Sequence, residues 1–374
     1  MDHQQSRLGR SEAPMAEDND TDHHNHQQQQ QQLPTHQQPH NQHAKVILVT
    51  GASSGIGQAT VRQFLQQGHI VYGAARRPLS PELSQAGVRP LTVDLTRTED
   101  REAAVEQIVR EQGGIDVLVN NAGYAIVGPA ATLDMASVRR QFEVNFWAIV
   151  HLTQLVLPHM ERTQRMRRSG RDRGAIIQIS SILGQTYVPF ASAYVATKHA
   201  LEGWSNTLRV EIKPMGIDVV VVEPGFVATG FKQVALSSVE NLDDPADEEE
   251  EKNDDPTAPS MYSYTRALRR TVRLLNLTEP LWTNPRSIAR VVVRAATTRY
   301  RPRHRYVTGW LARPLLFFHH WCGTTLLDLV YGVVTRLPLL DYENSAAATA
   351  ATAAVAASGV SRTKRMKDED CKRD

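Results

Sequence analysis

Between residues 45 and 310, short and continuously apolar runs alternate with longer stretches in which apolar side chains recur every three or four positions. The first run, KVILVT at 45–50, is rich in β-branched residues and stops at a glycine-rich turn, as a strand buried on both faces of a parallel sheet does. Val61, Phe64 and Leu65 follow at helical spacing, and Gly68 falls where the end of that helix needs positive φ. Further strands are predicted at 69–75, 90–94, 115–120, 175–180 and 217–223, with helical patterns between them, one ending at Gly113 and Gly114. A helix is predicted over 260–275. Asn284 and Pro285 read as the N-cap and first turn of another, ending near Thr297. Residues 305–308 supply a last strand, and 310–334 one or two terminal helices. Repeated β-then-α units of this length predict the α/β class, with one doubly wound parallel sheet and helices on both faces.

The ends break the pattern. Residues 1–43 hold seven of the fourteen His and a run of six Gln, Gln27 to Gln32, with little apolar to bury, so a disordered arm is expected. Residues 340–374 are an Ala/Thr/Ser tract with a charged end and read as a disordered tail. The expected organisation is therefore the arm at 1–43, the α/β domain at 44–310 with an acidic mobile loop at 239–259, a helical extension at 311–339, and the tail. Such a domain buries a core without staples. Cys322 and Cys371 form no disulfide or zinc pattern, which fits a reducing compartment. His23, His24 and His26 lie in the arm and are not read as a metal site, so no metal is expected. No apolar leader opens the chain, and 310–334 is interrupted by charged and polar residues, so the expectation is a cytoplasmic protein without a spanning helix.

Charge changes the picture more. The formal +2 conceals −4 on the arm and −9 on the acidic loop, which leaves about +15 on the remaining chain. That balance suits anionic ligands or a lipid surface, and equally an ordinary solvated face offset by the acidic loop. Residues 162–173 carry six Arg in an apparent loop and are read first as a solvated insertion. They lack interleaved aromatics, and nucleic-acid binding is not expected.

The strand at 45–50 runs into Gly51-Ala52-Ser53-Ser54-Gly55-Ile56-Gly57 and then a helix. Gly51 suits a tight turn, Gly55 close approach of backbone to a pyrophosphate, and Gly57 close packing of helix on strand, with phosphate on the free N–H groups of the helix start. Farther on come Asn120-Asn121-Ala122-Gly123 after the fourth strand, Asn145 in a long helical stretch, Ser181 at the end of the fifth strand, Tyr194-Val-Ala-Thr-Lys198 at a helix start, and Pro224-Gly225 closing the sixth strand.

This order and spacing resemble the short-chain dehydrogenase/reductase family, and within it the NADP-preferring 17β-hydroxysteroid and retinol dehydrogenase-like members. Ser181 precedes Tyr194 by thirteen residues, as in the family, and the likeness covers about residues 45–310. The resemblance implies a Rossmann-type sheet and a cofactor site formed by Gly51, Ser53, Ser54, Gly55, Ile56, Gly57, Asn121, Ala122, Gly123, Tyr194, Lys198, Pro224 and Gly225. It also places Asp94 near the adenine and Val227 and Thr229 near the nicotinamide carboxamide. It assigns Tyr194 as general acid/base, Lys198 as ribose ligand and modulator of Tyr194, Ser181 as holder of the substrate oxygen, and Asn145 as anchor of a water on the proton path.

Two points can be argued from the residues themselves. Tyr194 and Lys198 are four apart and share a helix face, so the ammonium and the positively charged nicotinamide ring together are expected to favour phenolate and lower the tyrosine pKa from about 10. The slot that would carry an NAD-binding carboxylate at the end of the second strand is Ala75, followed by Arg76 and Arg77. Arg76 can pair with a 2′-phosphate, so NADP is expected ahead of NAD.

The reaction expected is hydride transfer between the nicotinamide and a carbonyl or secondary alcohol. Phe231, Met261, Tyr262, Tyr264 and Trp282 follow Pro224-Gly225 as a long apolar cover, which suits a lipophilic small molecule such as a steroid, retinoid or long-chain ketone, or else packs on the domain itself. The segment 310–334 is a candidate for peripheral membrane contact, and the resemblance implies a homo-oligomer through the helices bearing Asn145 and Tyr194. The alternative reading is a non-catalytic dinucleotide-sensing scaffold, against which the full Asn145, Ser181, Tyr194 and Lys198 set speaks.

Overall fold

A computed structural model of the 374-residue chain describes residues 44–166, 173–236, 261–298, 300–310 and 312–335. The arm, the tail, the acidic stretch 239–259 and part of the Arg-rich segment lie outside the described residues.

Seven strands form one sheet: β1 Val46–Thr50, β2 Ile70–Ala75, β3 Arg89–Thr92, β4 Val117–Asn120, β5 Gly174–Ile179, β6 Ile217–Pro224 and β7 Arg305–Thr308. The order is β3-β2-β1-β4-β5-β6-β7, and every pair is parallel. Leu48 pairs with Tyr72 on one side and Leu118 on the other, so β1 is central and wholly buried, as its unbroken apolar run requires. Strand order reverses between β1 and β4, which opens a crevice at the carboxyl ends of these strands.

The helices are α1 Gly55–Gln66, α2 Pro81–Gln85, α3 Thr98–Gln112, α4 Met135–Phe142, α5 Ala148–Met166, α6 Ser192–Glu211, α7 Phe231–Leu236, α8 Met261–Thr278, α9 Pro285–Thr297 and α10 Ala312–Thr335. Alternation along the strands divides the core in two. Ile47, Val49, Ile177 and Val222 face α1 and α9 through Phe64 and Val292, whereas Leu48, Leu118 and Ile176 face α3, α5 and α6 through Ile108, Met160 and Leu208. Gly68 and Gly113 both take φ 77° after their helices, the left-handed conformation their positions ask for. Asn284 caps α9 by accepting from the Arg286 N–H at 2.9 Å.

Three expectations change. The Arg-rich segment does not begin as a loop: α5 continues to Met166, with Arg165 paired to Glu161 one turn earlier, and Arg173 on the far side forms a two-pronged pair with Asp218 at 2.5 and 2.9 Å. Asn145 does not lie in an ordinary helix, because Glu143–Trp147 between α4 and α5 is a π-helical turn. The short α2 had no periodic signal at its five-residue length.

The C-terminal extension is two helices joined at Gly323, whose φ of 69° is non-helical. Its first turn sets Ala312 against Gly225, and its second half is tied to the loop after β5. There the Tyr187 hydroxyl donates to Asp328 and the Tyr331 hydroxyl to the Tyr187 carbonyl, both at 2.7 Å. It thus bridges the loops that follow β6 and β5, both at the crevice end of the sheet.

Candidate active site

Thr50, the last residue of β1, stitches the crevice together. Its hydroxyl accepts from the N–H groups of Asn121 and Ala122, each at 3.0 Å, while the Asn121 amide donates to the carbonyls of Thr50 and Gly51 at 2.9 and 3.2 Å. The turn after β1 is therefore fixed to the end of β4. Gly51 and Gly55 have φ of 65° and 56°. A Cβ on Gly51 would sit 2.9 Å from Ala122 Cα, one on Gly55 would sit 3.1 Å from the Thr229 side chain, and one on Gly57 would run into the Gly51 carbonyl. Only glycine leaves this cradle open. Asp134 and Asn284 close the starts of α4 and α9, but Ser54, at the start of α1, makes no side-chain cap. That helix end, with no acidic residue in its first turn, suits an anion such as a pyrophosphate. A cavity of about 490 Å³ opens beside it, lined by Gly55, Thr229, Arg62 and Arg286.

On the other side of the crevice, Ser181 caps a short 3₁₀ turn, Ile182–Gly184, two residues beyond the end of β5, with its hydroxyl accepting from the Leu183 N–H at 3.2 Å. The same hydroxyl hydrogen-bonds Tyr194 in the first turn of α6. Lys198, one turn on, donates to the Ile179 carbonyl at 2.8 Å, and its ammonium lies 5.6 Å from the centre of the Tyr194 ring. Asn145 is fully buried in the π turn. Its amide donates to the Tyr124 carbonyl at 2.8 Å and to Thr197 at 3.2 Å, and its oxygen accepts from the Tyr124 N–H at 3.1 Å. Thr197 in turn donates to the Tyr194 carbonyl at 2.8 Å. Gly123 keeps the space between Asn145 and Lys198 clear, since a Cβ there would be 3.2 Å from Asn145 Oδ1 and 3.8 Å from Lys198 Nζ. All four residues meet at one place.

The expectation for Tyr194 counts the nicotinamide ring as well as Lys198, and the chain's own groups act in the other direction. Tyr194 is not made more acidic by the chain's own groups: burial pushes it up to about 12, and the Ser181 hydrogen bond only partly opposes this. Burial likewise lowers Lys198 to about 8, offset in part by the Glu202 carboxylate on the next turn. Lys198 is turned to the Ile179 carbonyl, and desolvation outweighs its attraction for a phenolate.

The remaining residues fall around this pair. Ala75 is buried at the end of β2, with Arg76 exposed beside it. The Arg76 charge reaches Asp94, which is held below the usual carboxylate range chiefly by the Thr96 N–H. Val227 bridges to Thr283, which ties the chain after Pro224 and Gly225 to the approach to α9. Of the apolar cover, Phe231 packs edge-on against Tyr194 with ring centres 5.5 Å apart, while Trp282 stacks on Phe226 at the start of the same segment. The side chains of Met261, Tyr262 and Tyr264 lie outside the described residues. In the sequence Thr50 opens the glycine signature and Thr197 lies within the Tyr194 to Lys198 motif, but neither is assigned a hydrogen-bonding role there. Both adjoin a named motif residue, and that adjacency was the available signal.

The family model for short chain dehydrogenase matches residues 45–239, more than half of the chain. This chain belongs to the short chain dehydrogenase family. A relative in the family, the 3-ketodihydrosphingosine reductase of Bacteroides thetaiotaomicron, is 43% identical over 187 residues, which cover 50% of this chain and 65% of that one. The NADPH-dependent 3-dehydrocapnine reductase of Ornithobacterium rhinotracheale is 36% identical over 188 residues, with 49% and 65% covered. The chain thus spans somewhat less than two thirds of either relative. Among solved structures, a short-chain dehydrogenase from Streptomyces avermitilis superposes with a TM-score of 0.58 at 29% identity, covering 78% of this chain and 95% of that one. Among the described residues no group of His, Cys, Asp and Glu is placed to hold a metal ion, and no helix is long and apolar enough to cross a membrane.

Proposed function

We propose that the protein is an NADP-preferring oxidoreductase that interconverts a carbonyl and a secondary alcohol on a lipophilic substrate. The observation that carries this reading is the convergence of Ser181, Tyr194 and Lys198 at the mouth of a glycine cradle that a side chain would fill. When bound, the dinucleotide supplies or accepts the hydride. The uncapped start of α1 and Gly51, Ser53, Ser54, Gly55, Ile56 and Gly57 would hold its pyrophosphate. Asp94, Asn121, Ala122 and Gly123 would line its adenosine half, and Pro224, Gly225, Val227 and Thr229 the nicotinamide. Ala75 leaves room for a 2′-phosphate and Arg76 is free to pair with it, which favours NADP over NAD.

Ser181 donates to the substrate oxygen and stabilises charge that develops there. Tyr194 delivers the proton to that oxygen during reduction and takes it during oxidation. Its raised pKa keeps it a proton donor through the physiological range, which fits reduction. Lys198 binds the ribose hydroxyls and replenishes the Tyr194 proton. Both donors of the Asn145 amide are spent on Tyr124 and Thr197, so its side chain would not donate to a water on the path to solvent, and the broken i to i−4 ladder of the π turn would offer backbone groups instead.

Of the steroid, retinoid and long-chain ketone classes, the long-chain ketone is best supported, since two relatives are named for reducing a keto or dehydro compound. Phe231 beside Tyr194 would meet its apolar chain. Peripheral membrane contact is supported by exposed Trp310, Phe317, Phe318 and Trp321, and a homo-oligomer by exposed Trp147 and Val210 along the α5 and α6 flank. The reading is tested by a panel of ketones and alcohols followed by nicotinamide absorbance with NADPH and NADH. Turnover with NADPH at the lower KM is expected, and a Tyr194→Phe protein that still turned over the best substrate would overturn it.

A further inference from the structure

One turn beyond Lys198 on α6, two carboxyl groups are buried against one guanidinium. Glu223 is the last residue but one of β6 and is fully enclosed, and Glu202 lies on α6 one turn after Lys198 and is almost so. Arg305 at the start of β7 reaches both, with Nη2 2.8 Å from Glu202 Oε2 and Nε 3.0 Å from Glu223 Oε1. Gln185 donates to the other oxygen of Glu223, and the two carboxyls are near enough to hydrogen-bond each other. A Cβ on Gly184 would sit 2.8 Å from Glu202 Cγ and 3.2 Å from the Lys198 carbonyl, so the turn capped by Ser181 rests directly on this cluster. The two carboxyls share this one guanidinium, and Glu202 Oε1 and Glu223 Oε1 are both buried without a hydrogen bond, so one proton held between them is the cheaper state.

We propose that Glu202 and Glu223, clamped by Arg305, hold one proton between them and that the remaining anion on the α6 side positions Lys198 and keeps its ammonium charged. This rests on the reading of Lys198 given above, and it makes Glu202 a positioning residue that acts through Lys198. The charged groups facing Glu202 are Lys198 from its own helix, Glu223 from β6 and Arg305 from β7, while Gln185 adds a neutral donor from the loop after β5. Burial and the Glu202 charge together raise Glu223 to about 8, so Glu223 keeps the proton at neutral pH. Glu202 is the group that opposes the lowering of Lys198. Substituting each acid therefore has a different consequence. Glu202→Gln leaves the negative charge on Glu223, one element farther from Lys198. Glu223→Gln leaves a full carboxylate on Glu202.

The test follows the Lys198 ε-carbon resonance against pH in lysine-labelled full-length protein, assigned by its loss in Lys198→Met, alongside the alkaline limb of turnover. The wild-type midpoint is expected near 8. Glu202→Gln should lower both the resonance midpoint and the alkaline limb by about one pH unit, a tenfold loss of the ammonium form at fixed alkaline pH. Glu223→Gln should leave them in place or raise them. Equal shifts in both variants, or an unmoved midpoint in Glu202→Gln, overturn the proposal. Should either variant fold poorly, the wild-type infrared spectrum decides: a protonated buried carboxyl at neutral pH that ionises near 8 is required, and its absence refutes the pair. The resonance and the infrared band report on the cluster without turnover, so failure of the proposed activity would show separately.

Discussion

At the scale of single residues, the proposed mechanism rests on a tyrosine whose environment makes it a worse acid. Burial holds Tyr194 near 12, so proton transfer needs the hydroxyl of Ser181 and the charge of Lys198 at the moment of reaction. Tyr194→Phe keeps the ring that packs against Phe231 and removes only the hydroxyl. Turnover is expected to fall by about a hundredfold or more, with NADPH affinity by fluorescence titration nearly unchanged. Glu223 gives a second prediction, on stability. The folded chain keeps its proton up to about 8, whereas the unfolded chain releases it near the ordinary 4.5. Between these values the native state binds more protons than the unfolded one, so stability declines as pH rises through that window. Melting temperatures measured from pH 5 to 8 should fall in the wild type and fall less in Glu223→Gln.

At the scale of elements, what the sequence made legible and what it hid divide along physical lines. Strands such as 45–50 announce themselves because both faces are buried, and β7 at 305–308 was placed to the residue. The ends of helices were legible where one residue type has a conformational job, as at Gly68, Gly113 and Asn284. The π turn was not, since its five residues, EVNFW, carry no periodicity distinct from the helices on either side. The members of the proposed catalytic set were readable because they sit in local motifs. The Glu202, Glu223 and Arg305 cluster was not, because three elements far apart in the chain bring it together, and its one hint is a glutamate ending the apolar run of β6. The elements themselves invite a test at Gly57, where α1 crosses the turn after β1. Gly57→Ala must push the helix off the Gly51 carbonyl and off Asn121, and a loss of about 1–3 kcal/mol in chemical denaturation is expected, together with loss of dinucleotide binding. Asn284→Ala, which removes the cap of α9, should cost about 1 kcal/mol in the same denaturation.

At the scale of the whole molecule, the C-terminal extension is the element that the sheet does not explain. One end packs Ala312 on Gly225, the other is held by Tyr187, Asp328 and Tyr331, and between them the chain turns at Gly323. Its inner anchors thus lie on the two loops that frame the crevice, while Phe317, Phe318 and Trp321 cluster on the outside with 54–75% of their surface exposed. Burial of a large apolar side chain is worth about 1.5–3 kcal/mol. Three half-exposed aromatics therefore supply enough to hold the protein reversibly on a lipid surface, and the surplus of basic residues in the folded core adds attraction to anionic headgroups. The full chain should float with vesicles containing phosphatidylserine, and raising the salt should weaken this binding without abolishing it, since the aromatic contribution is not screened. Replacing Phe317, Phe318 and Trp321 together by Ser should leave the protein at the bottom of the gradient. Turnover of a short, water-soluble ketone should be unchanged in that variant, because the ring contacts of the three side chains are with one another and they are largely exposed, whereas turnover of a long-chain ketone presented in vesicles should fall. Flotation that survives the triple substitution would place the lipid contact on another face, and a loss of turnover with both ketones would mean that the outer face of the extension shapes the crevice itself.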